Sequence, residues 1–153
     1  MDKLEYIPGD FVMTNGVPLG TAKDVVYRVT SSDPTKTLKL DDGTVLKGAV
    51  CLENIEGAKF GEKGYLSGDC CAWVKDIVPI PITPEILEKN GWKLSHGFYW
   101  SSNEEGAGVG LKSQTGYVWE AYIGRRLLRS NINNVSDLQH LLFGLGLNSE
   151  MEV

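Results

Sequence analysis

The sequence predicts an α+β fold in two dissimilar halves, and three observations carry that expectation. Before residue 80 no helical periodicity lasts longer than a turn or two, and short Val-, Leu- and Thr-rich segments alternate with turn signals. A proline-bearing break, "VPIPITPEILEKNGWK", then ends in a helix start signal. Finally, an apolar stripe of helical period runs over residues 135–145. With 153 residues the chain can form one ordinary domain or two very small ones sharing an interface.

In the first half, "GDFVM", "DVVYRVTS", "KTLKL" and "TVLKGAVCL" read as strands separated by "TNG", "SSDP" and "DDG". The Asp-Gly of "LKLDDGTVLKG" is the strongest local hairpin signal, because Gly43 can take the positive φ that a primed turn needs. Several short strands joined by tight turns suggest a small SH3-like β-barrel or meander, and closure would remove exposed edges. The expected first domain is 1–78, followed by a Pro-rich connector at 79–83, where Pro79 and Pro81 hold the chain extended.

The second domain is expected over 84–153. Thr83 stands at an N-cap position, Pro84 at N1 and Gly91 just past the end, which predicts a helix over 84–90. Strand patterns resume over about 92–132 in "WKLSHGFYW", "GVGLKS", "GYVWEAYIG" and "RRLLRSNI", an antiparallel, aromatic-rich sheet. Alternation in "YVWEAYI" places Tyr117, Trp119, Ala121 and Ile123 on one face, the expected core face, with Val118, Glu120 and Tyr122 on the other. The last helix is expected over 135–146. Val135, Leu138, Leu141, Leu142 and Leu145 form its stripe, Ser136 and Gln139 have capping-box spacing, and Gly146 marks its end. His140 falls nearly opposite the stripe, and Phe143 also lies off it.

The formal net charge is −5, and the deficit is even: nine Lys/Arg against twelve Asp/Glu up to residue 80, six against eight beyond it. No global basic field draws nucleic acid. With no secretory-type apolar run at the start and no stretch of about 20 apolar residues, the chain reads as cytoplasmic and without a membrane span. Three cysteines, two of them adjacent, make a poor disulfide framework and are expected as buried free thiols.

No set of residues has the spacing of a catalytic or metal site. Cys51, Cys70, Cys71, His96 and His140 include no C-x-x-C or H-x-x-x-H pair. Cys71, in "GDCCAWV", reads as part of a strand rather than an activated nucleophile. "GAGVGLKSQTG" (106–116) lacks the following helix that a phosphate loop requires, and "GVPLGTAK" lacks Walker spacing. Arg125, Arg126 and Arg129 are the one basic cluster; in a regular strand Arg125 and Arg129 would share a face and Arg126 would point away.

"VPIPITPEILEKNGWK" (78–93) and "NVSDLQHLLFGLGL" (134–147), with aromatic strands between them, resemble a family of small uncharacterised proteins of prophage-like and mobile-element regions of gut bacteria. That family carries an I-P-L-T-P-E-I-L-x-K-N-G-F segment and a C-terminal V-H-E-L-Q-H helix. The resemblance covers roughly residues 77–147; the first half matches loosely, through "GDFV". Where the family pattern has a His two residues before the Leu of L-Q-H, this chain has Ser136, so chemistry needing both His residues would be lost. The resemblance implies a phage or mobile-element context and no activity.

The function expected is therefore a non-enzymatic binding module acting through a protein partner, with no cofactor. Phe143, His140, Tyr122, Arg125, Arg126 and Arg129 are the candidate surface. The alternatives are a nucleic-acid accessory role for the arginine cluster with a stacking aromatic such as Tyr122, and an unrecognised hydrolase-type enzyme using Cys71 or His140.

Overall fold

The structure, a computed structural model, describes residues 6–101 and 108–153. The chain is α+β and divides into two compact units, Met1–Ile80 and Pro81–Val153. Each contains one five-stranded antiparallel sheet.

In the first unit the strands are β1 (Phe11–Thr14), β2 (Tyr27–Lys39), β3 (Val45–Asn54), β4 (Cys70–Trp73) and β5 (Ile77–Val78), with a single 3-10 turn at Val74–Asp76. Their order across the sheet is β4-β3-β2-β1-β5, and among the described residues the sheet does not close into the expected barrel. "SSDP" does not separate two strands, because β2 runs through it. The chain accommodates Pro34, which has no N–H to donate, with a register shift between Asp33 and Thr37. Asp33 supports the shift locally, accepting from the Thr35 N–H at 3.0 Å and the Thr35 hydroxyl at 2.8 Å. The β2–β3 hairpin forms where the Asp-Gly signal stands. Gly43 has φ +90°, yet the Leu40 N–H to Thr44 O bond encloses three residues, so the turn is the wider three-residue kind, not a primed two-residue turn.

One face of this sheet supplies the core: Val12, Tyr27, Val29, Val50, Leu52, Cys70, Ala72 and Ile77, joined by Tyr6 and Leu66. Polar side chains hold the covering loops. The Tyr27 hydroxyl donates to Gly64 O at 2.6 Å and accepts from the Ala22 N–H at 3.1 Å, tying two loops together. Asn54 donates to Leu66 O at 2.7 Å and accepts from the Leu66 N–H at 2.8 Å, so its carboxamide replaces a stretch of strand pairing. Buried Asp76 accepts from Asn15 Nδ2 at 2.8 Å and from Lys75 Nζ at 3.1 Å.

The second unit comprises α1 (Pro84–Lys89), β6 (Lys93–Ser95), β7 (Phe98–Trp100), β8 (Val109–Lys112), β9 (Trp119–Ile123), β10 (Arg126–Ile132) and α2 (Val135–Gly144). The strands follow one another across the sheet in the order β10-β9-β8-β7-β6. "WKLSHGFYW" is a hairpin, not one strand: Ser95 pairs with Phe98 and the turn is His96-Gly97, both at positive φ. Residues 106–107 of the Gly-rich stretch lie outside the described residues, and Val109–Lys112 of it form β8.

Both helices stop in the same way. Gly91 and Gly146 adopt φ +83° and +71°. Trp92 N donates to Leu87 O at 3.0 Å and Gly91 N to Glu88 O at 3.0 Å; Leu147 N donates to Leu142 O at 2.9 Å and Gly146 N to Phe143 O at 3.0 Å. These are two complete Schellman caps, which satisfy carbonyls a helix end leaves open. At the starts, Thr83 accepts from Ile86 N at 3.2 Å and Asn134 from Asp137 N at 2.8 Å. The cap of α2 is therefore Asn134 with Asp137, and the expected Ser136–Gln139 box is not the cap: both side chains are buried, with Gln139 Nε2 donating to Ser149 O at 3.1 Å.

The buried face of α2 is Val135, Ser136, Leu138, Gln139 and Leu142, so the stripe is rotated from the expected one and Leu141 is half-buried. The sheet contributes Val109, Leu111, Trp119, Ala121 and Ile132. The Trp119 indole donates to Ile82 O at 3.3 Å, fastening the extended connector. Tyr117 is exposed because β9 starts only at Trp119, and Ile123 is exposed at the hairpin end of the strand. Asn90 repeats the Asn54 device, donating to Glu152 O at 2.7 Å and accepting from the Glu152 N–H at 2.7 Å. Among the described residues no helix is long and apolar enough to cross a membrane.

Candidate interaction surface

β9 and β10 join through Gly124-Arg125, with Ile123 opposite Arg126. Arg125 therefore sits in the turn, outside the strand. Beyond it the pairing runs Leu127 to Tyr122 and then Arg129 to Ala121, with a register shift in between. Ile123 and Ala121 are two apart in β9 and share a face, so Arg126 and Arg129 share a face as well. This reverses the expected arrangement, and the extra residue of the bulge is the reason. Arg129 lies 3.8 Å from the Asp137 carboxylate.

The hairpin end exposes three aliphatic side chains, Ile123 at 46%, Leu127 at 54% and Leu128 at 42%. Arg125 and Arg126 are exposed among them, while Arg129 is half-buried. Cationic and apolar side chains thus stand on one hairpin, the β9–β10 finger, in which β10 is the sheet edge and β9 stays paired with β8 up to Ile123.

Tyr122 belongs to the sheet face opposite Ala121. Its hydroxyl donates to Glu120 Oε2 at 2.6 Å, and its ring meets Phe98 edge-on with centroids 5.4 Å apart. The bond to Glu120 pushes the Tyr122 phenol above its ordinary range, because the carboxylate stabilises the protonated form. Phe98 also lies 5.5 Å from Trp100 and carries Lys112 Nζ 5.5 Å above its ring. Trp100 spreads over Gly110, where a Cβ would come within 2.8 Å of the indole. These aromatic rings spend much of their surface on each other and hold the sheet together.

His140 is half-buried on α2, and Phe143, at the helix's last turn, is 69% exposed beside exposed Leu147. Neither belongs to the β9–β10 finger. Strand pairing sets Leu127 opposite Tyr122 on one face of the hairpin and Arg126 opposite Ile123 on the other, whereas His140 and Phe143 form a separate helical feature.

The thiols differ from expectation. Cys70 alone is buried, donating to Leu19 O at 3.5 Å, and burial pushes its thiol above the usual range. Cys71 is exposed and Cys51 half-buried, and β3–β4 pairing sets them opposite each other. Sequence spacing gave no hint, because the twenty-residue separation becomes a contact only through strand register. His96 is a turn residue, its Nδ1 3.0 Å from Ser95 Oγ. Among the described residues no three His, Cys, Asp or Glu side chains gather as metal ligands. The chain matches no protein-family model, no curated protein and no solved structure.

Proposed function

We propose that the chain is a non-enzymatic binding module working through a protein partner, with the β9–β10 finger as its principal contact. The observation that carries this reading is the exposure of Ile123, Leu127 and Leu128 at the end of one hairpin with Arg125 and Arg126, Ile123 on the face of Arg126 and Leu127 on the face of Tyr122. Fully covering an aliphatic side chain of this size is worth about 1.5–3 kcal/mol, so a partner with an apolar centre gains from docking there. The guanidinium groups favour carboxylates around that centre. On a chain of net charge −5, a local basic finger also orients the approach of an acidic surface.

The other parts of the reading rest on separate supports. An SH3-like arrangement of the first unit is supported by the order β4-β3-β2-β1-β5, with the first strand between the second and the last, and by the 3-10 turn entering β5. A phage or mobile-element pathway is supported by the resemblance of residues 77–147. A non-enzymatic role is supported by the sequence, in which His96, His140 and the cysteines lack the spacing of a catalytic or metal set.

A photo-crosslinking residue at position 127, with position 38 on the β2–β3 hairpin as an equally exposed control, tests the contact in cells. The expected result is a discrete protein adduct from position 127 that disappears when Arg126→Glu is added. Identical adduct patterns from positions 127 and 38, or an adduct indifferent to Arg126→Glu, would overturn it.

A further inference from the structure

β3 and β4 are antiparallel, with Cys51 directly opposite Cys71. Side chains alternate along each strand, so Val50, Leu52, Cys70 and Ala72 enter the core while Cys51 and Cys71 emerge on the other face. Their Sγ atoms lie 2.8 Å apart, and β4 is an edge of the sheet, which leaves Cys71 open to small reagents. A disulfide needs its sulfurs about 2.0 Å apart. Closure therefore asks for a sulfur movement of under about 1 Å and no change in strand pairing.

We propose that Cys51 and Cys71 are a redox-active dithiol whose co-substrate is a low-molecular-weight disulfide. The Cys71 thiolate, its proton released to water, attacks one sulfur of the reagent, forms a mixed disulfide and expels the first thiolate. Cys51 then loses its proton and attacks Cys71 Sγ, forming the intramolecular bond and expelling the second thiolate. The two thiolates take up the two protons, so one protein dithiol is oxidised and one small disulfide is reduced to two thiols. Cys71 goes first because it is the exposed partner, and Cys51 resolves because it is already in contact. The hydrogen bond with Cys51 raises the Cys71 thiol above its usual range, with the Lys36 ammonium opposing, so exchange quickens as pH rises. The new bond would close residues 51–71 into a ring that includes Asn54, Gly64 and Leu66, the partners that hold the loop over the core.

The test uses the full chain, reduced and then freed of reductant, incubated with glutathione disulfide and followed by intact mass and peptide mapping. The expected product has lost two hydrogens, carries no glutathione, maps to Cys51–Cys71, returns on reduction and melts at a higher temperature than the dithiol. Cys51→Ser should stop at a stable glutathione adduct on Cys71, Cys71→Ser should form no internal bond, and Cys70→Ala should behave as the parent. A stable adduct on the parent chain, a parent that stays reduced, or a bond mapping to Cys70 would each overturn the proposal.

Discussion

The two units build the same kind of sheet and cover it by different means. In the first, loops lie over the core and individual polar side chains hold them: Tyr27 to Gly64 and Ala22, Asn54 to Leu66, Asp76 to Asn15. In the second, α2 supplies the apolar face Val135, Leu138 and Leu142 and satisfies its own backbone apart from its capped ends. A loop cover depends on placed hydrogen bonds, because its backbone has no ladder of its own. A helical cover depends on volume and fit. The first unit should therefore be vulnerable to small polar changes, and the second to apolar truncation.

The largest effect should come from Leu138→Ala. Leu138 is fully buried, and such truncations cost about 2–5 kcal/mol. Hydrogen exchange resolved by unit should show residues 81–153 exchanging faster and the first unit unchanged. Next comes Gly110→Ala, whose methyl must displace the Trp100 ring, an overpacking cost of about 1–3 kcal/mol. Denaturant unfolding followed by tryptophan fluorescence measures it.

Tyr27→Phe sharpens the contrast from the other side. It keeps the ring and strands the Ala22 N–H and Gly64 O, a cost of about 1–3 kcal/mol at neutral pH. Burial is the first cause of the raised Tyr27 phenol pKa, partly opposed by the bond from Ala22. A folded pKa above the unfolded one gives stability that is complete below the ordinary tyrosine range and is lost as pH rises through the folded value. The gap between parent and Tyr27→Phe should thus narrow in alkaline denaturation curves. A constant gap would show that the phenol does not couple to folding.

Asn134→Ala removes the α2 cap and should cost about 1 kcal/mol. Leu127→Ser should change stability least, within about 0.5 kcal/mol, since the side chain is exposed. Capture of a partner at the β9–β10 finger should nevertheless be lost. A large stability loss instead would make Leu127 a structural residue.

Local signals were read well where chemistry and position coincide. Thr83, Pro84 and Gly91 bound α1 as their conformational preferences dictate; Gly43 marks the place of the β2–β3 turn though not its type, and alternation finds Trp119 and Ala121 in the core though not Tyr117 and Ile123. Three departures share one cause, a bulge or a turn that changes which residues face each other, whereas the rotated α2 stripe and its Asn134 cap depend on how the helix packs. Pro34 was absorbed by a register shift, His96-Gly97 made a hairpin from a presumed strand, and the β10 bulge turned Arg126 onto the face of Arg129. The dithiol was invisible for the same reason, since the partner of Cys71 is fixed by β3–β4 register and not by the neighbouring cysteine. Exposure of Leu127 and Leu128 likewise depends on β10 being an edge strand, which no window of sequence states.

The Asn90 clamp makes the second unit a slow chemical clock. Asn90 precedes Gly91, and side-chain amides are among the heat-labile groups of proteins. At present the Asn90 NH2 serves both Glu152 O and Ile86 O. Hydrolysis to aspartate would replace that donor by a charged oxygen facing the Ile86 and Glu152 carbonyls. The segment that buries Met151 would then be repelled from the end of α1, so an aged sample should shed it first. While the fold is intact it delays its own ageing, because the Gly91 nitrogen that would attack the amide is engaged with Glu88 O.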